Sequence, residues 1–381
     1  MRIGLITGEY PPQPGGVGDF TRQLALALVA VGHEVRVLTT RTALPDPQPD
    51  PGVQVHRGPA RWGWRSLWAA RRWAAREAVD VVDLQYQAAM YQLAAPIHFL
   101  PKLLGRPCVV TFHDLRIPYL FPKAGALRPA AVTGLARSAC AAITTDPADA
   151  ETLNRRGVKG VTQIPIGSNI RAQPPAGFDR TTWRRTRGYG PEDFVVGYFG
   201  FLNQSKGGDT LIDALQRLVG GGAPARVLLV GGAAGASDPT DQLFGRQLEA
   251  RIAALGLADH VARTGFLPEA EASAALLACD ALALPYRDGA SLRRGTLMAA
   301  LAHGLPIVST QGPHTSPELS DGCALVPADS PEALAQALEA LRRDPERRAR
   351  LGSAARELAR SFEWGAIAAR TAVILGGCLP Q

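Results

Sequence analysis

The sequence has no cysteine framework. Its five cysteines (Cys108, Cys140, Cys279, Cys323 and Cys378) are scattered and odd in number, with no CxxC pair and no Cys/His spacing. That argues against a disulfide scaffold or a zinc site and for a reducing compartment. Long apolar runs are also lacking. None approaches the roughly 20 residues of a membrane-spanning helix, and Ile3–Thr7 ahead of Gly8 is too short for the apolar part of a secretory leader. These absences predict a cytoplasmic protein. No nucleic-acid-binding motif accompanies the net charge of +7, so the basic balance points instead to nucleotide-linked substrates or an anionic membrane surface. An acidic metal-binding motif is missing too. The expectation is therefore no metal and no cofactor.

What is present suits two soluble domains: 381 residues, 46% apolar and 20% charged. Met1–Thr7 reads as a strand, Gly8–Gly18 as a Pro/Gly loop, and Asp19 as the cap of a helix carrying Phe20, Leu24, Leu28 and Val31. Glu34–Thr39 follows as a second strand. This βαβ opening predicts an α/β fold with parallel sheets wrapped by helices. Gly15-Gly16-Val17-Gly18 lacks GxGxxG spacing, and Thr39-Thr40-Arg41 lacks the acidic residue that would hold a ribose, so a dinucleotide-binding dehydrogenase is set aside. Arg57–Arg76 alternates Arg with Trp62, Trp64, Trp68 and Trp73. It reads either as a helix lying on an anionic bilayer or as a sheet-covering helix with Trp inside and Arg outside. The second reading is favoured, because a surface anchor shows a longer unbroken apolar face.

Val79–Leu84 and Cys108–Phe112 are further strands, ending at Gln85-Tyr86 and His113. Ligands of open α/β sheets gather at such strand ends. Arg116–Pro129 reads as a loop forming part of an acceptor wall, and Arg171–Gly190 as a linker. A second βα series starts at Phe194–Gly200, where Asn203 and Lys206 lie in a strand-to-helix loop suited to phosphate. The stretch Ala283–Thr310 carries a strand end, a turn at Asp288-Gly289, and a helix expected from Ser291, with Arg293 and Arg294 in its first turn. Cations there are unfavourable unless an anion joins them, which points to a bound diphosphate.

Taken in order, PPQPGGVGDFTRQLALALVAVGHEVRVLT, GFLNQSKGGDTLIDAL, LLVGG, TGFLPEAEASAALLACDALALPY, AALAHGLPIVST and SFEWGAIAART resemble a GT-B glycosyltransferase of the family 4 type. The resemblance covers nearly the whole chain. It implies two Rossmann-like domains facing a central cleft: residues 1–175 on the acceptor side, a linker at 176–190, a nucleotide-sugar domain at 191–360, and a helix at 361–381 crossing back to the first domain. It implies that Gly15 and Gly16 approach the donor diphosphate, that Lys206 binds it, that Phe266 and Leu267 contact the base, and that His113 lies near the transferred sugar. Arg293, Arg294, Gly295 and Thr296 complete the diphosphate set. Ser291 and Asn203 are assigned to sugar or ribose, and Asp19, Gln85 and Tyr86 to the acceptor side. Two departures stand out. Phe201 holds a position where many relatives have Arg, and Ser291 and Ala299 replace the family's paired glutamates.

The expected reaction is transfer of a sugar from a nucleotide-diphosphate donor to an acceptor hydroxyl, by front-face attack with retention and without metal. The acceptor would be a glycan, a lipid-linked molecule or a small molecule. A non-catalytic scaffold binding a nucleotide-sugar or a partner is the rival that the lost glutamates favour, and retained Lys206 opposes it. A nucleotide-sugar epimerase would need acid and base groups around the sugar carbon, and no convincing set is present.

Overall fold

The computed structural model describes residues 1–13, 15–45, 48–115, 127–231, 239–313 and 315–380. The chain divides into two units, Met1–Asn169 with the segment from Phe362 onward, and Ile170–Ser361. In the first, strands β1 (Arg2–Ile6), β2 (Glu34–Thr39), β3 (Val53–Arg57), β4 (Val81–Tyr86), β5 (Cys108–Phe112), β6 (Ala141–Thr144) and β7 (Val161–Gln163) form a parallel sheet in the order 3-2-1-4-5-6-7. Around it lie α1 (Gly16–Ala30), α2 (Trp64–Arg76), α3 (Leu100–Leu103), α4 (Leu127–Ser138) and α5 (Pro147–Arg155). In the second unit come α6 (Arg180–Arg185), β8 (Phe194–Phe199), α7 (Gly208–Gly220), β9 (Ala225–Val230), α8 (Pro239–Ala254), β10 (Val261–Gly265), α9 (Glu269–Leu277) and β11 (Ala281–Leu284). They continue with α10 (Gly295–Ala302), β12 (Ile307–Gln311), α11 (Leu319–Gly322), β13 (Ala324–Pro327), α12 (Pro331–Arg343) and α13 (Pro345–Ala359). This sheet is also parallel, in the order 10-9-8-11-12-13. The last helix, α14 (Trp364–Gly377), belongs to the first unit.

Both strand orders reverse at one place, between β1 and β4 in the first sheet and between β8 and β11 in the second. A crevice opens there at the strands' C-terminal ends, because the connections leave in opposite directions. The expected site residues follow β1, β4 and β5 in one unit and β8, β10 and β11 in the other.

Period-2 alternation sorts β4 into two faces. Val82, Leu84 and Tyr86 join a core with Trp62, Trp73, Tyr91 and Phe112. Val81 faces the opposite core, built by Ile3, Leu5, Phe20, Leu24 and Leu28 with Ile367 and Leu375. The last two come from α14, so burying them seats that helix, each worth at most about 1.5–3 kcal/mol. Trp364 stacks edge-on to Phe20 at 5.2 Å and donates its indole N–H to the Ser168 carbonyl at 2.7 Å.

Several expectations need correction. The segment expected as a linker contains α6, whose Trp183 packs with Tyr189 in the second unit's core while buried Arg184 pairs with Asp280 at 2.9 Å. Strand β3 was not anticipated. Its burial pattern is mostly exposed, as befits a sheet edge, and its apolar signal is correspondingly weak. Residues 116–126 of the expected acceptor wall lie outside the described residues, and from Leu127 the chain is α4 rather than loop. Finally, α10 starts at Gly295, four residues after Ser291.

Candidate active site

In the first unit the expected cap, Asp19, sits inside the first turn of α1, and Gly15 holds the cap position. Glycine has no side chain to satisfy the first N–H groups. Glu9 does so from the preceding loop: its Oε1 accepts from Val17 N–H at 3.0 Å and Gly18 N–H at 3.1 Å. A Cβ at Gly15 would stand 2.2 Å from that carboxylate, so a larger residue would displace Glu9 from this position. The N–H groups of Val17 and Gly18, next to the Gly15-Gly16 pair expected to approach a diphosphate, are thus already taken. Asp19 reaches solvent, yet burial first and the Glu9 carboxylate second push its carboxyl up to about 6.

Behind this loop runs a polar chain. Asp83, fully buried mid-strand, accepts from the Thr111 hydroxyl at 2.8 Å and from the Gln85 amide at 2.7 Å. Gln85 Oε1 lies 2.8 Å from His113 Nε2. Burial pushes the Asp83 carboxyl up to about 7, against the lowering effect of both donors. It also pushes the His113 imidazole down to about 3, so the ring is neutral at working pH. The ring packs edge-on to Phe20 at 4.7 Å. Tyr91 and Cys108, which also border Asp83, are held neutral by burial, which raises both.

The structure therefore corrects two acceptor-side assignments. Gln85 is fully buried and engaged at both ends of its amide. Tyr86 projects to the opposite face, in the aromatic core, with its hydroxyl 2.9 Å from His98 Nε2. A one-residue step along a strand turns the side chain over.

In the second unit, β8 is followed directly by Gly200, whose φ of +114° suits glycine. A Cβ there would lie 2.9 Å from Lys206 Nζ and 2.8 Å from Thr296 Cγ2. Gly200 thus brings Lys206 and the first turn of α10 together, the association expected for a diphosphate site. No side chain caps α10, and the Thr296 hydroxyl bonds the Tyr286 hydroxyl at 2.6 Å. Arg294, expected inside the helix, is its cap residue. Its guanidinium pairs with Asp288 and lies 4.6 Å from the Tyr286 ring centre. Arg293 is half-buried in the turn before it. Lys206 Nζ also lies 5.9 Å from the ring of Phe201.

The rim continues away from Gly200. A Cβ at Gly231 would approach the Gly200 carbonyl at 3.1 Å, and Gly231 bridges Gly265. Phe266 follows, 84% exposed, while Leu267 packs into the core. Asn203 accepts from the Ser205 hydroxyl at 2.9 Å. Ser291 is buried, and its carbonyl accepts from Arg294 N–H at 3.1 Å. Ala299 is wholly buried within α10, its carbonyl accepting from His303.

Sequence reasoning missed Glu9, Asp83, Thr111, Gly200 and Tyr286. Asp83 did carry a signal, a carboxylate inside the apolar run VDVVDL. Glu9 carried none, because its acceptor role depends on how the loop folds.

Two parallel Rossmann-like units, the second with cations beside a helix N-terminus that follows its switch-point strand, give an anion-suited site in an α/β scaffold. Residues 15–167 match the glycosyl transferase 4-like domain and residues 193–344 match the glycosyl transferases group 1 domain. The chain belongs to the GT-B glycosyltransferases of the family 4 type. It is 28% identical over 393 residues to a phosphatidyl-myo-inositol mannosyltransferase of Mycobacterium leprae, covering 97% of this chain and 95% of the relative. It is 27% identical to a D-inositol 3-phosphate glycosyltransferase of Paenarthrobacter aurescens, covering 94% and 91%. Among solved structures, sucrose-phosphate synthase from Thermosynechococcus elongatus superposes with a TM-score of 0.77 at 22% identity, covering 99% of this chain and 98% of that one. Anabaena HepE in complex with UDP gives 0.78 at 20%, covering 99% and 100%. These likenesses show the fold.

Proposed function

We propose that this glycosyltransferase uses a nucleoside-diphosphate sugar, binds its diphosphate with the second unit, and transfers the sugar to a hydroxyl with retention and without metal. The observation that carries the reading is the meeting of Lys206 with the uncapped N-terminus of α10 at Gly200. A departing diphosphate gains negative charge, and preformed cations and N–H dipoles stabilise it most when water is excluded. Lys206, Arg294 and the N–H groups of Gly295 and Thr296 supply that charge, which is the role a metal ion would otherwise fill. The bond from the sugar carbon to the diphosphate oxygen breaks as the bond to the acceptor oxygen forms on the same face. The acceptor proton passes to the departing phosphate oxygen. His113, neutral, accepts or donates a hydrogen bond rather than acting as a strong base, and Asp19 stands on the acceptor side. UDP and UDP-glucose bound to HepE and the inositol-based acceptors named in the M. leprae and P. aurescens relatives support a nucleotide-sugar donor and a polyol or lipid-linked acceptor.

The test is turnover of UDP-, GDP-, ADP- and TDP-sugars by the purified protein, with and without EDTA, and proton NMR of the product's anomeric centre. Release of one nucleotide unaffected by EDTA, with retained configuration, supports the reading. Failure of every nucleotide to bind at about 1 mM sinks it.

A membrane-borne acceptor is supported by α2. Trp73 and Trp62 are buried, as the sheet-covering reading expects, but Trp64 and Trp68 are more than half exposed. Phe99 stacks beside Trp64 at 5.3 Å, and Arg61, Arg65, Arg71 and Arg72 are exposed around them. Aromatic rings among arginines fit the boundary of an anionic bilayer. Co-sedimentation with phosphatidylglycerol vesicles but not phosphatidylcholine vesicles, lost in Trp64→Ser/Trp68→Ser, is the expected result. Equal binding by the variant removes the patch from the account.

A further inference from the structure

We propose that Asp83 and Gln85 are positioning residues that fix the tautomer of His113, placing its proton on Nε2 and leaving Nδ1 as the ring's acceptor atom. The inference rests on the transferase reading only for its kinetic consequence; the proton placement stands on geometry.

The argument is a count of donors and acceptors. Above about pH 7, where the Asp83 carboxyl has lost its proton, it can only accept. Asp83 accepts from the Thr111 hydroxyl on one oxygen and touches the Gln85 amide with the other, at 2.8 and 2.7 Å. The amide has one donor end and one acceptor end. With its NH2 turned to Asp83, only its oxygen remains for His113 Nε2, 2.8 Å away. An oxygen facing a ring nitrogen requires that nitrogen to carry the proton. All three links are buried or half-buried, where an unsatisfied polar contact is costly enough to suppress the other tautomer at least several-fold. Strand register supplies the alignment: Gln85 pairs directly with Thr111, two residues before His113 on the same face of the sheet. A ring orientation set this way lets Nδ1 receive a hydrogen bond from a hydroxyl, the group that both a sugar and its acceptor present.

Asp83→Asn tests this by reversing the chain. With Thr111 donating to its oxygen, its NH2 faces Gln85, the Gln85 amide turns over, and its own NH2 then faces Nε2. The proton must move to Nδ1. The protein is labelled with 15N-histidine and its ring nitrogens are recorded at pH 8.5, with His113→Gln identifying the His113 signals. In the wild type Nε2 should show the protonated, pyrrole-type shift and Nδ1 the bare, pyridine-type shift. Asp83→Asn should exchange them, and Gln85→Leu should leave a mixture. A wild-type spectrum with the proton on Nδ1 overturns the proposal whether or not any variant folds. So does an Asp83→Asn spectrum identical to the wild type.

Kinetics separates the two layers. Asp83→Asn should lower kcat for sugar transfer about tenfold, the effect of one misdirected hydrogen bond, with the KM for the donor little changed. A reversed tautomer with an unchanged kcat would remove His113 from the reaction and so overturn the kinetic claim, while leaving the relay itself in place.

Discussion

Two helices begin beside the two switch points, and they treat their free N–H groups in opposite ways. At α1 the chain supplies its own anion: Glu9 reaches across the loop to Val17 and Gly18, and Gly15 is bare so that the carboxylate fits. At α10 the cap residue is Arg294, whose side chain makes no cap hydrogen bond, and Lys206 and Thr296 both border Gly200. Either N-terminus favours an anion. One is filled from within, and the other is surrounded by cations. The same contrast extends inward. The first unit's polar groups satisfy one another along Thr111, Asp83, Gln85 and His113, whereas the second unit gathers positive charge around an uncapped helix start. Glycine-rich loops therefore differ in meaning according to which side chain lies behind them.

The largest effect should come from pH, since among the described residues the first unit fully buries a carboxyl, Asp83, and the second does not. Asp83 holds its proton up to about 7, against about 3.9 in an unfolded chain. The folded state thus binds a proton that the unfolded state has lost, and stability falls as pH rises from about 4 to about 7, then levels off. Asp83→Asn lacks this loss. Relative to the wild type it should gain stability across that window, by at most about 4 kcal/mol, measured by denaturant unfolding at pH 4 to 8. Parallel curves for the two proteins would show that Asp83 stays ionised throughout. Next in size is Lys206→Ala, which removes one charge-assisted contact worth about 1.5–3 kcal/mol. Titration calorimetry with UDP and GDP should show affinity for whichever the wild type binds reduced roughly ten- to a hundredfold. Unchanged affinity would transfer the diphosphate away from α10.

Much of this was legible in the sequence because the signals were periodic or local. Alternating βα segments and short apolar strands foretold both sheets, and Lys206 does lie between β8 and α7, in the strand-to-helix connection read from the sequence. What was not legible depended on pairing across the fold. A helix beginning at Gly295 rather than Ser291 changes Arg294 from a first-turn cation into a cap residue paired with Asp288. Hydrophobicity does not mark that boundary. Gln85 and Tyr86 looked equivalent at the end of one strand, yet the pleat sends one into a polar chain and the other into an aromatic core. The paired glutamates' second position, Ala299, faces no solvent at all, a fact that depends on the helix's packing.

The smallest effect should be the most direct test of the contrast between the helices. Glu9→Gln keeps the size of the side chain and an acceptor oxygen but removes the charge at the start of α1. Loss of a carboxylate's interaction with a helix N-terminus costs about 0.3–1 kcal/mol, so the first unit should unfold at slightly lower denaturant. Gly15→Ala should act the same way by a different route, because its methyl group would occupy the carboxylate's place. In both variants the N–H groups of Val17 and Gly18 lose their anion, and inorganic phosphate should restore part of the first unit's lost stability while barely affecting the first unit of the wild type. At α10 the order is reversed: phosphate should stabilise the wild type there, and Lys206→Ala should abolish that stabilisation. If phosphate protects the first unit of the wild type and of Glu9→Gln equally, Glu9 is not the anion that fills α1, and the loop around Gly15 and Gly16 regains its claim on the donor.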